Sequence, residues 1–259
     1  MFFIVKEYLK YVIRAIFSKK ENSEFVETFI VNILKKKLNT NKVKQIERLK
    51  AFYINNPTTI QKEDYGVGSR KKKNSSSIST KNILKHVTVK EKYGNILNNL
   101  SNFYGTKKVL ELGTSLGVGS TYLSTNSNKI TTIEGNKELF EYVQNTFDNL
   151  KIKNIVFIHS KFDAILEYLL KGVHNFDLIF IDGNHSKEAT LRYFELILKY
   201  NNTNSIVIFD DIYWSFGMKN AWNTIRSNKD VMLSIDLFQF GIIFFNSHIK
   251  QKEHYTLWY

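Results

Sequence analysis

The chain has 259 residues, 43% of them hydrophobic, enough for one sizeable core and more than a single small α/β domain needs. It contains no cysteine, which excludes disulfides and thiolate metal sites and agrees with the expected location in a reducing cytoplasm. A formal net charge of +13 brings nucleic acid, anionic membrane surfaces and acidic substrates into consideration, whereas no apolar run reaches the roughly 18 residues of a membrane span.

Residues 1–56 read as a helical N-terminal extension. Phe2, Phe3, Leu9, Val12, Ile13, Ile16 and Phe17 recur at helical spacing, with Lys6, Lys10 and Arg14 between them. Lys6, Glu7 and Lys10 interrupt what would be the apolar centre of a signal peptide. Two placements stay open. The helix packs on the core or on a second subunit in a homodimer, or it lies on a membrane surface as a basic amphipathic helix. A second helix is expected from Ser23, as its N-cap, to Leu38. A third is expected over 42–53, ending before Pro57, the only proline.

Residues 57–80 hold Gly66, Gly68, Arg70, Lys71, Lys72, Lys73 and a serine run, and predict a loop. It is either a linker or a lid whose Arg70 or lysines meet an anionic group. Residues 81–259 form the main domain, beginning with a helix over 83–103.

The run Val109-Leu110-Glu111-Leu112 reads as a strand. It leads into Gly113-Thr114-Ser115-Leu116-Gly117-Val118-Gly119 and then a helix start. Glycines permit positive φ and let a ligand approach the backbone. The next strand, over 130–133, ends in Glu134, where a carboxylate is placed to accept from two ribose hydroxyls. The spacing is G-x-x-x-G-x-G, not the G-x-G-x-x-G of a pyrophosphate turn. Glu111, directly before the turn, suits a cationic ligand better than a phosphate.

Residues 176–181 predict a central strand buried on both faces, ending in Asp182-Gly183-Asn184-His185. The strand over 205–209 ends in Asp210-Asp211. Crowded carboxylates need a proton or a cation among them, and hard oxygen donors suit Mg²⁺. The alternative is structural, with Asp210 or Asp211 capping the next helix and Asp182 tightening a turn. His185 is the candidate general base, with Lys187 behind it, or else a cap for the helix over 187–200. Tyr213, Trp214 and Phe216 form either a substrate wall or packing. Strands over 231–240 and 241–245 pair, and residues 255–259 add an edge strand.

These segments resemble a class I S-adenosylmethionine-dependent methyltransferase, nearest the catechol- and sugar-type O-methyltransferases, over roughly residues 80–259. The resemblance implies an α/β fold with a Rossmann-like, seven-stranded, mostly parallel sheet and helices on both faces. It implies S-adenosylmethionine held by Glu111, Gly113, Thr114, Ser115, Gly117, Glu134, Gly135, Lys161, Phe162 and Asp182, with His159 and Asp163 near adenine. It implies Asp182 and His185 as catalytic residues, and Asp182, Asp210 and Asp211 as ligands of a candidate Mg²⁺. The acceptor is then an oxygen of a small molecule. Two other readings are a methyltransferase fold serving as a partner-binding module and a nucleic-acid methyltransferase. The second lacks the Pro-Pro-Tyr type of motif.

Overall fold

The computed structural model describes residues 2–18, 24–61, 77–125, 128–172, 175–200, 205–245 and 251–259. Ser23, Gly66, Gly68, Arg70, Lys71, Lys72 and Lys73, and with them most of the expected lid, lie outside the described residues. In chain order the helices are α1 (Phe2–Ser18), α2 (Glu24–Phe29), α3 (Thr40–Asn55), α4 (Thr80–His86), α5 (Glu91–Phe103), α6 (Val118–Leu123), α7 (Lys137–Asn149), α8 (Phe162–Gly172), α9 (Lys187–Tyr200) and α10 (Phe216–Ser227). The strands are β1 (Thr59–Gln61), β2 (Ser77–Ser79), β3 (Lys108–Leu112), β4 (Lys129–Glu134), β5 (Ile155–His159), β6 (Leu178–Ile181), β7 (Ile206–Phe209), β8 (Leu233–Asp236), β9 (Gly241–Phe244) and β10 (Glu253–Thr256).

The chain divides into two compact units, Met1–Glu27 with Ile165–Tyr259, and Thr28–Ala164. In the second unit β3 pairs in parallel with β4, and β4 with β5. A helix follows each strand, which is the α/β alternation of a Rossmann-like fold. Val109, Leu110, Glu111 and Leu112 are all buried, as a strand covered on both faces requires. Asn136 caps α7, its side chain accepting from Leu139 N at 2.8 Å. β1 and β2 form a short antiparallel pair, with Ile60 opposite Ile78.

In the first unit β6 and β7 are parallel and wholly buried, continuous apolar runs as expected. β9 runs antiparallel to both β7 and β8, which is the pairing read from residues 231–245. β10 lies parallel to β8 and is the edge strand expected over 255–259, shifted to Glu253–Thr256. The fold class is therefore α/β, Rossmann-like and mostly parallel, with a helix at the N-terminal end.

Several boundaries differ from expectation. The helix over 83–103 is two helices, because Val87, Thr88 and Val89 are β-branched and Lys90 takes an extended backbone that starts α5 afresh. The second helix becomes π-helical over Ile30–Leu34 and stops there, short of Leu38. The expected strand over 231–240 shrinks to four residues, since Asp236 accepts Phe238 N at 2.9 Å and turns the chain.

The largest departure is in α1. A core-facing helix turns its apolar stripe inward. Here Tyr11 and Ala15 are buried together with Glu7, while Phe2, Leu9, Ile13, Ile16 and Phe17 are exposed. Specific polar contacts hold the inner face. Glu7 meets Lys219 at 2.7 Å, Arg14 meets the Tyr213 hydroxyl at 2.7 Å and Asp236 at 3.6 Å, and the Tyr11 hydroxyl donates to Leu257 O.

Candidate active site

The glycine turn after β3 is built from positive-φ residues: Gly113 at 108°, Ser115 at 48° and Gly117 at 69°. Gly117 is required twice over. Its φ is left-handed, and a Cβ there would stand 2.5 Å from the Phe147 ring. Gly113 N and Thr114 N both donate to Ile133 O, at 3.0 and 3.2 Å, which ties the turn to the end of β4. Tyr53 braces it from α3, its hydroxyl donating to Leu116 O at 2.9 Å. Burial pushes that phenol up, so it stays a donor.

Glu111 is buried, and its Oε2 accepts from Ser120 Oγ and from Thr132 Oγ1, the latter at 2.7 Å. The carboxylate thus joins β3, α6 and β4 under the turn. Thr114 Oγ1 meets Thr132 Oγ1 at 2.7 Å in the same layer. Glu134 is half-buried at the end of β4, with Ser115 N on Oε2 at 2.9 Å and Asn136 N on Oε1 at 3.0 Å. Burial raises its pKa, opposed by the N–H donors of Asn136, Ser115 and Gly135. A carboxylate has about four lone-pair directions, so three backbone donors leave one for a ribose hydroxyl.

One observation bears directly on whether these residues fit S-adenosylmethionine. Ser115 Oγ is buried and has no hydrogen-bond partner among the described residues, while its own N–H meets the Glu134 carboxylate. Buried hydroxyls are normally partnered, so an orphan in a turn of this shape suits a polar ligand. His159 does not stand free for adenine. Its Nε2 lies 3.0 Å from Gly135 O, and its ring rests 5.5 Å from Phe140. Phe162 opens α8, with Asp163 in its first turn.

The acidic group lies in the first unit. Asp210 Oδ1 accepts Asp211 N at 2.8 Å, and Asp210 N donates to Ile181 O at 2.9 Å. A side-chain hydrogen bond joins Asp210 to Asp182. Burial and then the charges of Asp182 and Asp211 push Asp210 well above the carboxylate range. Burial raises Asp182 too, but His185 and the Asp210 hydrogen bond favour its ionised form. Asp210 is therefore the acid of the pair and donates its proton to Asp182.

His185 Nε2 stands 3.8 Å from Asp182 Oδ1. It does not cap α9. Ser186 does, its Oγ accepting Ala189 N at 3.3 Å. The expected Mg²⁺ set is not assembled, because no group of three His, Asp or Glu among the described residues is arranged to hold a metal ion. Nor is Tyr213 a substrate wall. It is buried, donating to Asp236 at 2.6 Å, while Phe216 is exposed with its ring edge toward Phe3.

Sequence reasoning missed Tyr53 and Asn136 as supports of the turn. Tyr53 carried no local signal, but Asn136 sits where an N-cap is expected, just before α7.

A parallel α/β fold, a glycine turn of positive-φ residues and an acid ending the next strand together define a methyltransferase-type cofactor fold. Residues 110–212 match the family Methyltransferase domain. No curated protein sequence matches the chain. The fold is similar to that of the S-adenosylhomocysteine-bound methyltransferase PaMTH1 of Podospora anserina. The TM-score is 0.58 at 13% identity, over 88% of this chain and 97% of that one. It is also similar to the O-methyltransferase TomG of Streptomyces achromogenes, solved with S-adenosylmethionine. Here the TM-score is 0.56 at 15% identity, over 83% and 92%. An O-methyltransferase of Bacillus cereus in complex with S-adenosylhomocysteine gives 0.54 at 16%, over 84% and 95%.

Proposed function

We propose that this chain transfers the methyl group of S-adenosylmethionine to an oxygen of a small-molecule acceptor. The observation that carries the reading is Glu134, a half-buried carboxylate whose oxygens meet Ser115 N and Asn136 N, while the Ser115 hydroxyl has no partner among the described residues. Its fold-mates TomG and the Bacillus cereus enzyme are O-methyltransferases, which supports oxygen as the acceptor.

When bound, S-adenosylmethionine supplies an electrophilic sulfonium methyl. Glu134 would accept from a ribose hydroxyl, and Gly113, Thr114, Ser115 and Gly117 would hold the methionine part. Gly135, Lys161 and Phe162 would bound the adenine side. His185 takes the acceptor's hydroxyl proton at Nε2, and Asp182 stabilises the imidazolium that results. Asp210 keeps its proton and holds Asp182 in place.

The test is calorimetric titration with S-adenosylhomocysteine, with and without Mg²⁺, on wild type and Glu134→Ala, followed by mass spectrometry on catechol and sugar acceptors. Hydrogen bonds to a charged group contribute about 1.5–3 kcal/mol each. The variant should therefore bind about 10- to 100-fold more weakly. Absence of cofactor heat from wild type would sink the assignment. Cofactor binding without turnover on any acceptor would favour a partner-binding module.

A further inference from the structure

α1 is a helix whose polar face is inside. Along it, Phe2, Val5, Leu9, Ile13 and Ile16 expose 52–85% of their surfaces. At 100° per residue all five lie within about 40° of Leu9, so they form one stripe about 21 Å long. Lys6 and Lys10 flank that stripe on one side and are exposed. The only acid of α1 is Glu7, which is buried against Lys219 and meets Lys10 at 3.3 Å, and Arg14 is turned inward to Tyr213 and Asp236. The outward face is thus apolar and positive, with no negative charge.

We propose that this face docks the chain in plane on an anionic lipid bilayer. The apolar stripe would enter the headgroup–acyl boundary, and Lys6 and Lys10 would meet lipid phosphates and carboxylates. Charge selects this occupant over a second copy. Two such faces would oppose lysines without an acid between two chains of net charge +13, whereas an anionic surface attracts both. The helix lies on the bilayer instead of crossing it, since no described helix is long and apolar enough to span. The proposal rests on α1 alone and is independent of the methyl-transfer reading.

The experiment is flotation of the full chain with vesicles of phosphatidylcholine alone and of phosphatidylcholine mixed with phosphatidylserine. Light scattering after size exclusion accompanies it. Binding is expected to the phosphatidylserine vesicles and to fall with added salt. Leu9→Gln/Ile13→Gln/Ile16→Gln should bind at least about 100-fold more weakly. Lys6→Gln/Lys10→Gln should lose roughly 10-fold or more on phosphatidylserine vesicles and little on phosphatidylcholine. Circular dichroism checks that the variants fold. As a second measurement, Ile13→Trp should gain fluorescence that brominated acyl chains quench beyond the wild-type level. Failure to bind either vesicle, or unchanged binding by the triple apolar variant, overturns the proposal. So does a dimer that this variant dissociates while neither protein binds lipid.

Discussion

Gly117→Ala tests the turn that shapes the proposed cofactor loop. The added Cβ would lie 2.5 and 2.6 Å from two Phe147 ring atoms, well inside contact distance. The ring cannot retreat easily, because Phe147 is 1% exposed and packs edge-on against Phe157 at 5.1 Å. Overpacking of this kind costs about 1–3 kcal/mol. The backbone at φ 69° adds about 1 kcal/mol of left-handed strain. The expected total is about 3 kcal/mol, a fall in Tm of roughly 6–12 °C at this chain length. Thermal and urea unfolding would measure it, with calorimetric titration of S-adenosylhomocysteine reporting the loop. The two contributions separate in a Phe147→Leu background, where the clash is relieved and only the strain of about 1 kcal/mol should remain. Wild-type stability in Gly117→Ala would refute the geometry. An equal cost in both backgrounds would refute the clash while leaving the strain.

Three more outcomes follow. Asp210→Asn mimics the protonated acid, keeping a donor toward Asp182 and an acceptor for Asp211 N, and should unfold like wild type below the unfolded carboxylate pKa. Asp210→Ala strands the buried Asp182 and should cost about 3 kcal/mol in urea unfolding. Because the folded pKa of Asp210 is raised, its stabilisation is complete below the unfolded carboxylate pKa and is lost as pH rises through the folded value. Asp210→Asn should therefore gain on wild type as pH rises, and a constant difference would count against the shared proton. Burial opposes ionisation of Glu7, but Lys219 and Lys10 outweigh it and hold the carboxyl below its usual 4.5. Its contribution is present above that value and lost as pH falls through the folded pKa. Glu7→Gln should cost about 2 kcal/mol at neutral pH, with the gap to wild type closing in acid. His185→Gln should lower kcat on any accepted substrate about 100-fold or more while S-adenosylhomocysteine affinity holds. An unchanged kcat would remove His185 from the chemistry.

Much of the architecture is legible along the chain because its signals are local. The buried runs of β6 and β7 are continuous apolar stretches that suit only a doubly covered strand. The turn at Gly113 and Gly117 reads from glycines, which take positive φ most readily, and Glu134 follows at the end of the next strand. Helix breaks were harder, since Val87, Thr88 and Val89 fit the apolar periodicity while their branching and the extended Lys90 divide it.

What the sequence could not decide depends on partners far away in it. Three aspartates at strand ends look alike on the page, but burial and the Asp182–Asp210 contact raise Asp210 furthest above the carboxylate range. Tyr213 reads as a pocket aromatic until Asp236 claims its hydroxyl. The periodicity of α1 shows an apolar stripe but not where it points. That direction was set by Lys219, by Asp236, and by a Tyr213 that lies 199 residues from Arg14. Periodicity records which residues share a face, whereas the face that is buried depends on which side finds partners for its charges in the folded chain.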